Sequence, residues 1–447
     1  MLFRGDKGFP ENGIGNNYKN FAPRLGFAWD VLGDGKTSLR GGVGMFYDSA
    51  TNGIFNNNMV DESPFAQQIL LTPPPGPYSN PLAGQAQYTS VFPAKTPPPK
   101  NVVFPLPVSA VTFNLAGGSF AVPVVYSWNL TLEHQFAGDW LGRLAYVGSH
   151  TSHLSLAEDL NPAVYIPGSS LSEDQRVIFG PGLLSNIELL DESGNGNYNS
   201  LQLTLQKRLA QGFSILANYT WQKSLDNVAP SSGGGGAGAT GGAGGEPLPW
   251  YIPGNNQLDY GASDFNRQNV FVVSYLWDIP KPRTNNKFVT GVLGNWELTG
   301  ILTAETGLPF SVFAGKDISQ TGLNADRAVY RGGDPYGNNT CHNAPCVSWL
   351  NPAAFTLPAA GTVGNVGKAA LLDPGLFNWD MGIFKNIRVT ERWFVQLRGE
   401  FFNTLNHSNF TNSGNNYPNR SVNSGGFGTI TSAYDPRIIQ LALKVTF

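Results

Sequence analysis

Cys341 and Cys346, the only cysteines of the 447-residue chain, flank His342 in the run CHNAPC. Thiolates and imidazoles are zinc ligands, yet a structural zinc site takes four of them. In an exported chain two cysteines this close pair as a disulfide. A Cys341–Cys346 disulfide is therefore the expectation, with two free thiols or a bound metal as the alternatives. GAGATG at 236–241 has the glycine spacing that wraps a dinucleotide phosphate. That motif works only between a strand and a helix. Here SSGGG precedes it and GGAGGEPLPWYIPG follows, so the segment reads as a flexible glycine-rich loop. The other histidines are His134, His150, His153 and His407. A hydrolase would set one of them against a nucleophile, and no G-x-S-x-G elbow is present. The acidic pairs Asp61–Glu62, Glu173–Asp174 and Asp191–Glu192 lack the spacing of a calcium-binding EF-hand and read as solvated loop charge. Neither a catalytic group, a cofactor nor a metal is expected, and the chain is read as no enzyme.

The composition explains why chemistry is so thinly spread. Only 13% of the residues are charged, about half the share of a soluble globular chain. Aromatic residues make up 12%, and there are 54 glycines and 32 prolines. Disordered chains have few rings and high net charge, so disorder is excluded. A net charge of −3 without a basic run leaves no footprint for nucleic acid. The start, MLFRGDKGFPENGIGNNYKN, holds no apolar core of a signal peptide. No apolar run approaches the 18 residues of a membrane-spanning helix.

What must position the remaining side chains is a set of long strands. In YSWNLTLEHQF, Tyr126, Trp128, Leu130, Leu132, His134 and Phe136 share one face, and Ser127, Asn129, Thr131, Glu133 and Gln135 the other. The same alternation runs through LQLTLQKR, NWELTGILTAE, WFVQLRGEF and RIIQLALKVTF. It predicts eleven strands near 22–31, 37–47, 122–136, 140–150, 198–208, 213–223, 266–278, 294–305, 376–388, 392–404 and 435–447, with no helix of similar length. Most have the length of a tilted strand crossing a bilayer, longer than ordinary soluble strands.

The links alternate too. Those at 33–36, 137–139, 209–212 and 389–391 are tight and 279–295 is middling, whereas 48–121, 151–197, 224–265, 306–375 and 405–434 are long. Short turns on one side and long loops on the other mark an outer-membrane barrel. With the long loops outside, Tyr126, Trp128, Tyr219, Trp221, Phe377 and Trp379 fall at the outer interface. Trp29, Trp140, Tyr275, Trp277, Trp296, Trp393 and Phe447 fall at the inner one. Aromatic girdles occupy both levels in such proteins. A soluble sandwich or propeller would not alternate its loop lengths so regularly. The reading is an all-β, antiparallel, up-and-down transmembrane β-barrel in the cell outer membrane, in contact with lipid. The expected inner face carries Arg40, Glu133, Arg208, Glu297, Arg398, Glu400 and Lys444, which either pair across strands or meet a passing ligand.

The end of the chain resembles the C-terminal signal read by the barrel-assembly machinery, with Leu441, Leu443, Val445 and the terminal Phe447 in its positions. Three further segments resemble the Oar-like barrels of TonB-dependent receptors: NFAPRLGFAWDVLGDGKTSLRGGVGMFYD (20–48), TGLPFSV (306–312) and EFFNTLNHSNF (400–410). Ser408 stands where that family's Asn-His-Pro-Asn-Phe run has proline. The resemblance runs over essentially the whole chain. It implies ligand uptake across the outer membrane, energised by the TonB complex through a plug and an N-terminal region that this sequence does not contain. Residues 1–447 are accordingly expected to be the C-terminal part of the barrel, about eleven strands of a larger one. The extracellular ligand is left unnamed. The competing reading is a non-transporting surface protein, an adhesion or sensing barrel.

Overall fold

The structure is a computed structural model and describes Lys7 and residues 18–48, 106–113, 121–228, 259–322, 326–337, 347–411 and 418–447. Eleven strands form the antiparallel path of one sheet, each bonded to its neighbours in sequence, and Val108–Phe113, within the 48–121 segment read as loop, adds a parallel strand against residues 184–190. They are β1 (Arg24–Asp30), β2 (Thr37–Tyr47), β3 (Val124–Phe136), β4 (Trp140–Asp159), β5 (Leu184–Ala210), β6 (Phe213–Asp226), β7 (Asn269–Asp278), β8 (Trp296–Glu305), β9 (Leu376–Arg388), β10 (Phe394–Phe402) and β11 (Ile438–Thr446). Among the described residues β1 and β11 each pair on one side only, so the sheet is a partial wall and not a closed cylinder. No helix is long and apolar enough to cross a membrane.

The tight turns follow from local chemistry. Gln211 and Gly212 both take positive φ, 55° and 74°, the conformation whose twist matches that of the flanking strands. Gly212 is required a second time, because a Cβ there would lie 2.9 Å from the Cβ of Asp278. In the β1–β2 turn the Asp30 carboxylate accepts the N–H groups of Gly33 and Gly35, at 3.0 and 2.8 Å.

The register puts the apolar alternation on one face. Leu132, Leu144, Leu203 and Tyr219 lie in line across β3 to β6, and Trp277, Leu298 and Ile383 across β7 to β9. Three glycines on this face each sit beneath an aromatic ring of the directly opposite residue: Gly41 under Phe27, Gly148 under Trp128 and Gly300 under Tyr275. A Cβ at Gly148 would approach Trp128 to 2.4 Å, so ring and glycine form one unit of the kind that protects sheet backbone.

The other face is polar, and its side chains pair between neighbouring strands. Thr204 donates to Asn218 at 3.0 Å, Tyr198 to Gln222 at 2.9 Å and Gln396 to Asn386 at 2.8 Å. Glu133 meets Arg143 at 3.5 Å. Arg40 donates to Ser38 and Arg398 to Gln396, each on its own strand.

Three expectations are corrected. Residues 151–159 and 184–197, read as loop, extend β4 and β5. The runs TSHLSLAED and LSNIELLDESGNGN carry no sustained apolar alternation by which to read a strand. Asp191 and Glu192 consequently lie on a strand, and Glu192 is only 8% exposed instead of solvated. The link at 279–295 contains a short helix, α1 (Lys287–Leu293). The remaining strand ends shift by at most three residues, and β2 and β9 match at both ends.

Candidate functional site

The long loops fold together on the outer side of the wall. Residues 306–375 and 403–434 contribute several two-residue strand pairs, among them Pro309–Phe310 with Leu371–Leu372 and Val347–Ser348 with Thr429–Ile430, and 160–183 the single bridge Ala163–Val177. Loop joins loop through Ala163 N–H to Thr321 O and Phe313 N–H to Arg420 O, both 2.9 Å. Phe310, Val312, Leu350, Phe355, Val366 and Phe427 pack into a hydrophobic core, with Phe310 wholly buried. Trp349 donates to Leu372 O, and Leu372 N–H donates to the Tyr336 hydroxyl. The result is a folded cap.

Buried charges fasten the cap to the wall. The Lys368 ammonium donates to the Asp226 carboxylate at the end of β6 and to Val228 O at 2.9 Å. Arg327 meets Asp259 at 2.5 Å with both side chains nearly water-free. Arg267 pairs with Glu305 at 3.1 Å and donates to Thr306 O. Beside it Asp373 accepts the Leu308 N–H. Burial pushes the Asp373 pKa up to about 7, against the pull of that hydrogen bond and of Arg267. Asp326 accepts the N–H groups of Ile318 and Ser319 at 2.6 Å, and burial holds its carboxyl above the usual range.

On the polar face, the outer ends of β4, β5 and β6 and residues 263–265 line a cleft of about 510 Å³. Ser149, Thr151, Tyr198 and Ser224 supply hydroxyls, Asp264 a carboxylate and Phe265 a ring. The volume falls in the range of small-molecule sites. Leu154, Leu225 and Val228 make much of the remaining lining apolar, so the cleft suits a ligand with an apolar face and a few polar groups for the hydroxyls to orient.

The residues singled out from sequence scatter over the molecule. Leu441, Leu443 and Val445 line the outer face of β11, opposite Gly399, Leu397 and Val395. Phe447 stacks on Trp393 with ring centroids 5.2 Å apart. Cys341 and Cys346, Asp61 and Glu62, and residues 236–241 lie outside the described residues. His150 stacks on Tyr126 and bonds Asn197 at 2.9 Å, and His134 bonds Thr37 at 2.8 Å. His153 has φ 60° and lies 3.2 Å from Ser152, its chain neighbour, at a register slip of β4 against β5. Among the described residues no three His, Cys, Asp or Glu side chains gather as a metal site.

Sequence reading missed what the run at 400–410 does. Asn403 bonds His407 N–H and its carbonyl, Asn406 accepts Arg437 N–H, and Asn409 bonds both backbone groups of Phe377. Asn403 and Asn406 have φ of 49° and 52°, and asparagine tolerates that conformation best after glycine. Three asparagines at spacing three were the available signal. Ser408 is exposed beside them.

An apolar outer face, a polar inner face, short turns on one rim and a folded cap on the other define an outer-membrane β-barrel protein. The chain belongs to the outer membrane beta barrel domain family, whose sequence pattern matches residues 1–440. It is located in the outer membrane. No curated protein matches it. Solved structures similar to it include the outer membrane transporter YddB from Escherichia coli, at 8% identity and TM-score 0.46, covering 96% of this chain and 40% of that one. The FrpB iron transporter from Neisseria meningitidis is 9% identical with TM-score 0.39, covering 96% and 39%. The siderophore receptor PirA from Acinetobacter baumannii is 9% identical with TM-score 0.40, covering 96% and 41%. This chain thus spans about 40% of the length of such structures.

Proposed function

We propose that residues 1–447 form the C-terminal part of the barrel of a TonB-dependent receptor of the Oar-like type, which binds an extracellular ligand and admits it across the outer membrane. The observation that carries this reading is a ligand-sized cleft at the outer ends of β4, β5 and β6, from which the polar inner wall face leads down. The open edges of β1 and β11 support the fragment part. Unpaired strand edges are not tolerated in hydrocarbon, so other strands complete the wall. Transport is then energised through TonB by a plug within the intact protein. The barrel-assembly machinery recognises Leu441, Leu443, Val445 and Phe447 as the chain inserts.

The test is to sequence the DNA upstream of the Met1 codon and then to crosslink the intact protein to TonB. An in-frame extension encoding a signal peptide, a plug and some eleven further strands, with a TonB crosslink, is the expected result. A stop codon just before Met1 would overturn it. The cap fastened by the buried Lys368–Asp226 and Arg327–Asp259 pairs would then favour a surface protein that binds without transporting.

A further inference from the structure

The link from β7 to β8 lies on the short-turn rim, and among the described residues it is the link there that folds into a helix, α1. Asn286 caps its start, accepting from Phe288 N–H at 3.0 Å and Val289 N–H at 3.3 Å. Seven residues make a marginal helix in isolation, and the other end is held from a distant strand. The Lys385 ammonium of β9 donates to the carbonyls of Gly291 at 2.6 Å, Val292 at 3.1 Å and Gly294. The Trp296 indole donates to Val292 O at 2.9 Å.

The position of these two anchors decides where the helix sits. Lys385 and Trp296 are directly opposite in the β8–β9 register, in line with Ile383 opposite Leu298. Both therefore stand on the apolar, lipid-facing side of the wall. A lysine there is out of keeping with its neighbours unless its charge is used, and its N–H groups all meet helix carbonyls. The helix is thus fastened to the outside of the lower rim, away from the lumen.

The surface it presents is specific. Phe288 is 78% exposed, and Val292 and Leu293 are exposed beside it. Phe288 and Val292 are one turn apart and share a face. Residues 279–296 include Lys281, Arg283 and Lys287, all exposed, and no carboxylate. An apolar helix face bordered by cations and continuous with a lipid-facing wall has the make-up of an interfacial helix. Anionic headgroups attract such cations.

We propose that residues 279–296 form an interfacial anchor lying in the periplasmic leaflet of the outer membrane. Phe288, Val292 and Leu293 enter the boundary between headgroups and acyl chains. Lys281, Arg283 and Lys287 meet phospholipid phosphates. The anchor fixes the depth of the β7–β8 hairpin, while the other short turns extend into water. It depends on the outer-membrane location and not on transport.

Nitroxide labels at Phe288→Cys and Val292→Cys, with Lys36→Cys in the β1–β2 turn as the aqueous reference, test it in the intact protein that contains this chain, carrying Cys341→Ser and Cys346→Ser. The samples are outer membranes and phosphatidylethanolamine vesicles containing phosphatidylglycerol, chosen so that a label at Leu203→Cys reports acyl chain. The expected result is an oxygen-to-nickel-chelate collision ratio severalfold higher at 288 and 292 than at 36. Combined Lys281→Glu, Arg283→Glu and Lys287→Glu should lower it toward the value at 36. Labels at 288 and 292 as open to the chelate as that at 36, or a ratio unmoved by charge reversal, would overturn the proposal.

Discussion

The wall and the cap solve the problem of burying apolar side chains in opposite ways. In the wall the large apolar residues point out: Leu441 is 79% exposed and Phe447 86%. In the cap they point in, and Phe310, Val312 and Leu350 are fully buried. The hydrophobic effect rewards removal of apolar surface from water, so the wall is sensible only where its outer face meets lipid. The cap is a small water-soluble fold standing on top of it. One chain thus uses two solvents, and burial alone separates the two regions.

Substitutions that exchange the two environments should expose this contrast. Phe310→Ala removes a fully buried ring and should destabilise the cap by about 3–5 kcal/mol, while strand assembly in the membrane is retained. Hydrogen exchange should show protection lost at 306–372 and kept in β5 and β6. Leu203→Arg reverses the demand. On the lipid face near mid-strand an arginine costs about 2–4 kcal/mol, and the yield of inserted protein should fall with the cap unaffected in water. Equal damage to both regions from either variant would break the distinction.

Smaller effects are expected where the regions meet. Asp226→Ala deprives the buried Lys368 ammonium of its carboxylate. A hydrogen bond to a charged group is worth about 1.5–3 kcal/mol. The cap should open more often without unfolding, and protease cleavage between 306 and 375 should rise. Asp373 supplies a probe read by pH. Its pKa of about 7 in the folded cap lies above the ordinary 3.8. Between those pH values the unfolded state holds fewer protons, so cap stability should fall as pH rises from about 4 to 7. Asp373→Asn should remove that slope, as read by hydrogen exchange across the window.

Legibility in the sequence follows the same division. β2 and β9 are readable to the residue because lipid on one face and a polar lumen on the other favour alternation, which Lys385 of β9 interrupts only at the rim. A tight turn within 209–212 is readable from its glycine, and the structure narrows it to Gln211–Gly212. The outer halves of β4 and β5 were hidden, since DESGNGNYNS at 191–200 carries no apolar period. The cap was hidden for another reason. Its core joins Phe310, Leu350 and Phe427, far apart in the chain and on strands of two residues. Helix α1 escaped because it spans two turns and is held by Lys385, more than 90 residues away. The cleft likewise gathers Ser149, Tyr198 and Ser224 from three strands and Phe265 from a loop, which no linear motif announces.

The central claim is that the cap faces the outside and the tight turns the periplasm, with the wall in lipid between them. A membrane-impermeant maleimide applied to intact cells tests it most directly, with a single cysteine at Tyr330→Cys in the cap or Lys36→Cys in the β1–β2 turn, both in the Cys341→Ser, Cys346→Ser background. Position 330 should label on intact cells, and position 36 only after the outer membrane is opened. Labelling of position 36 on intact cells, or protection of position 330, would contradict the assignment.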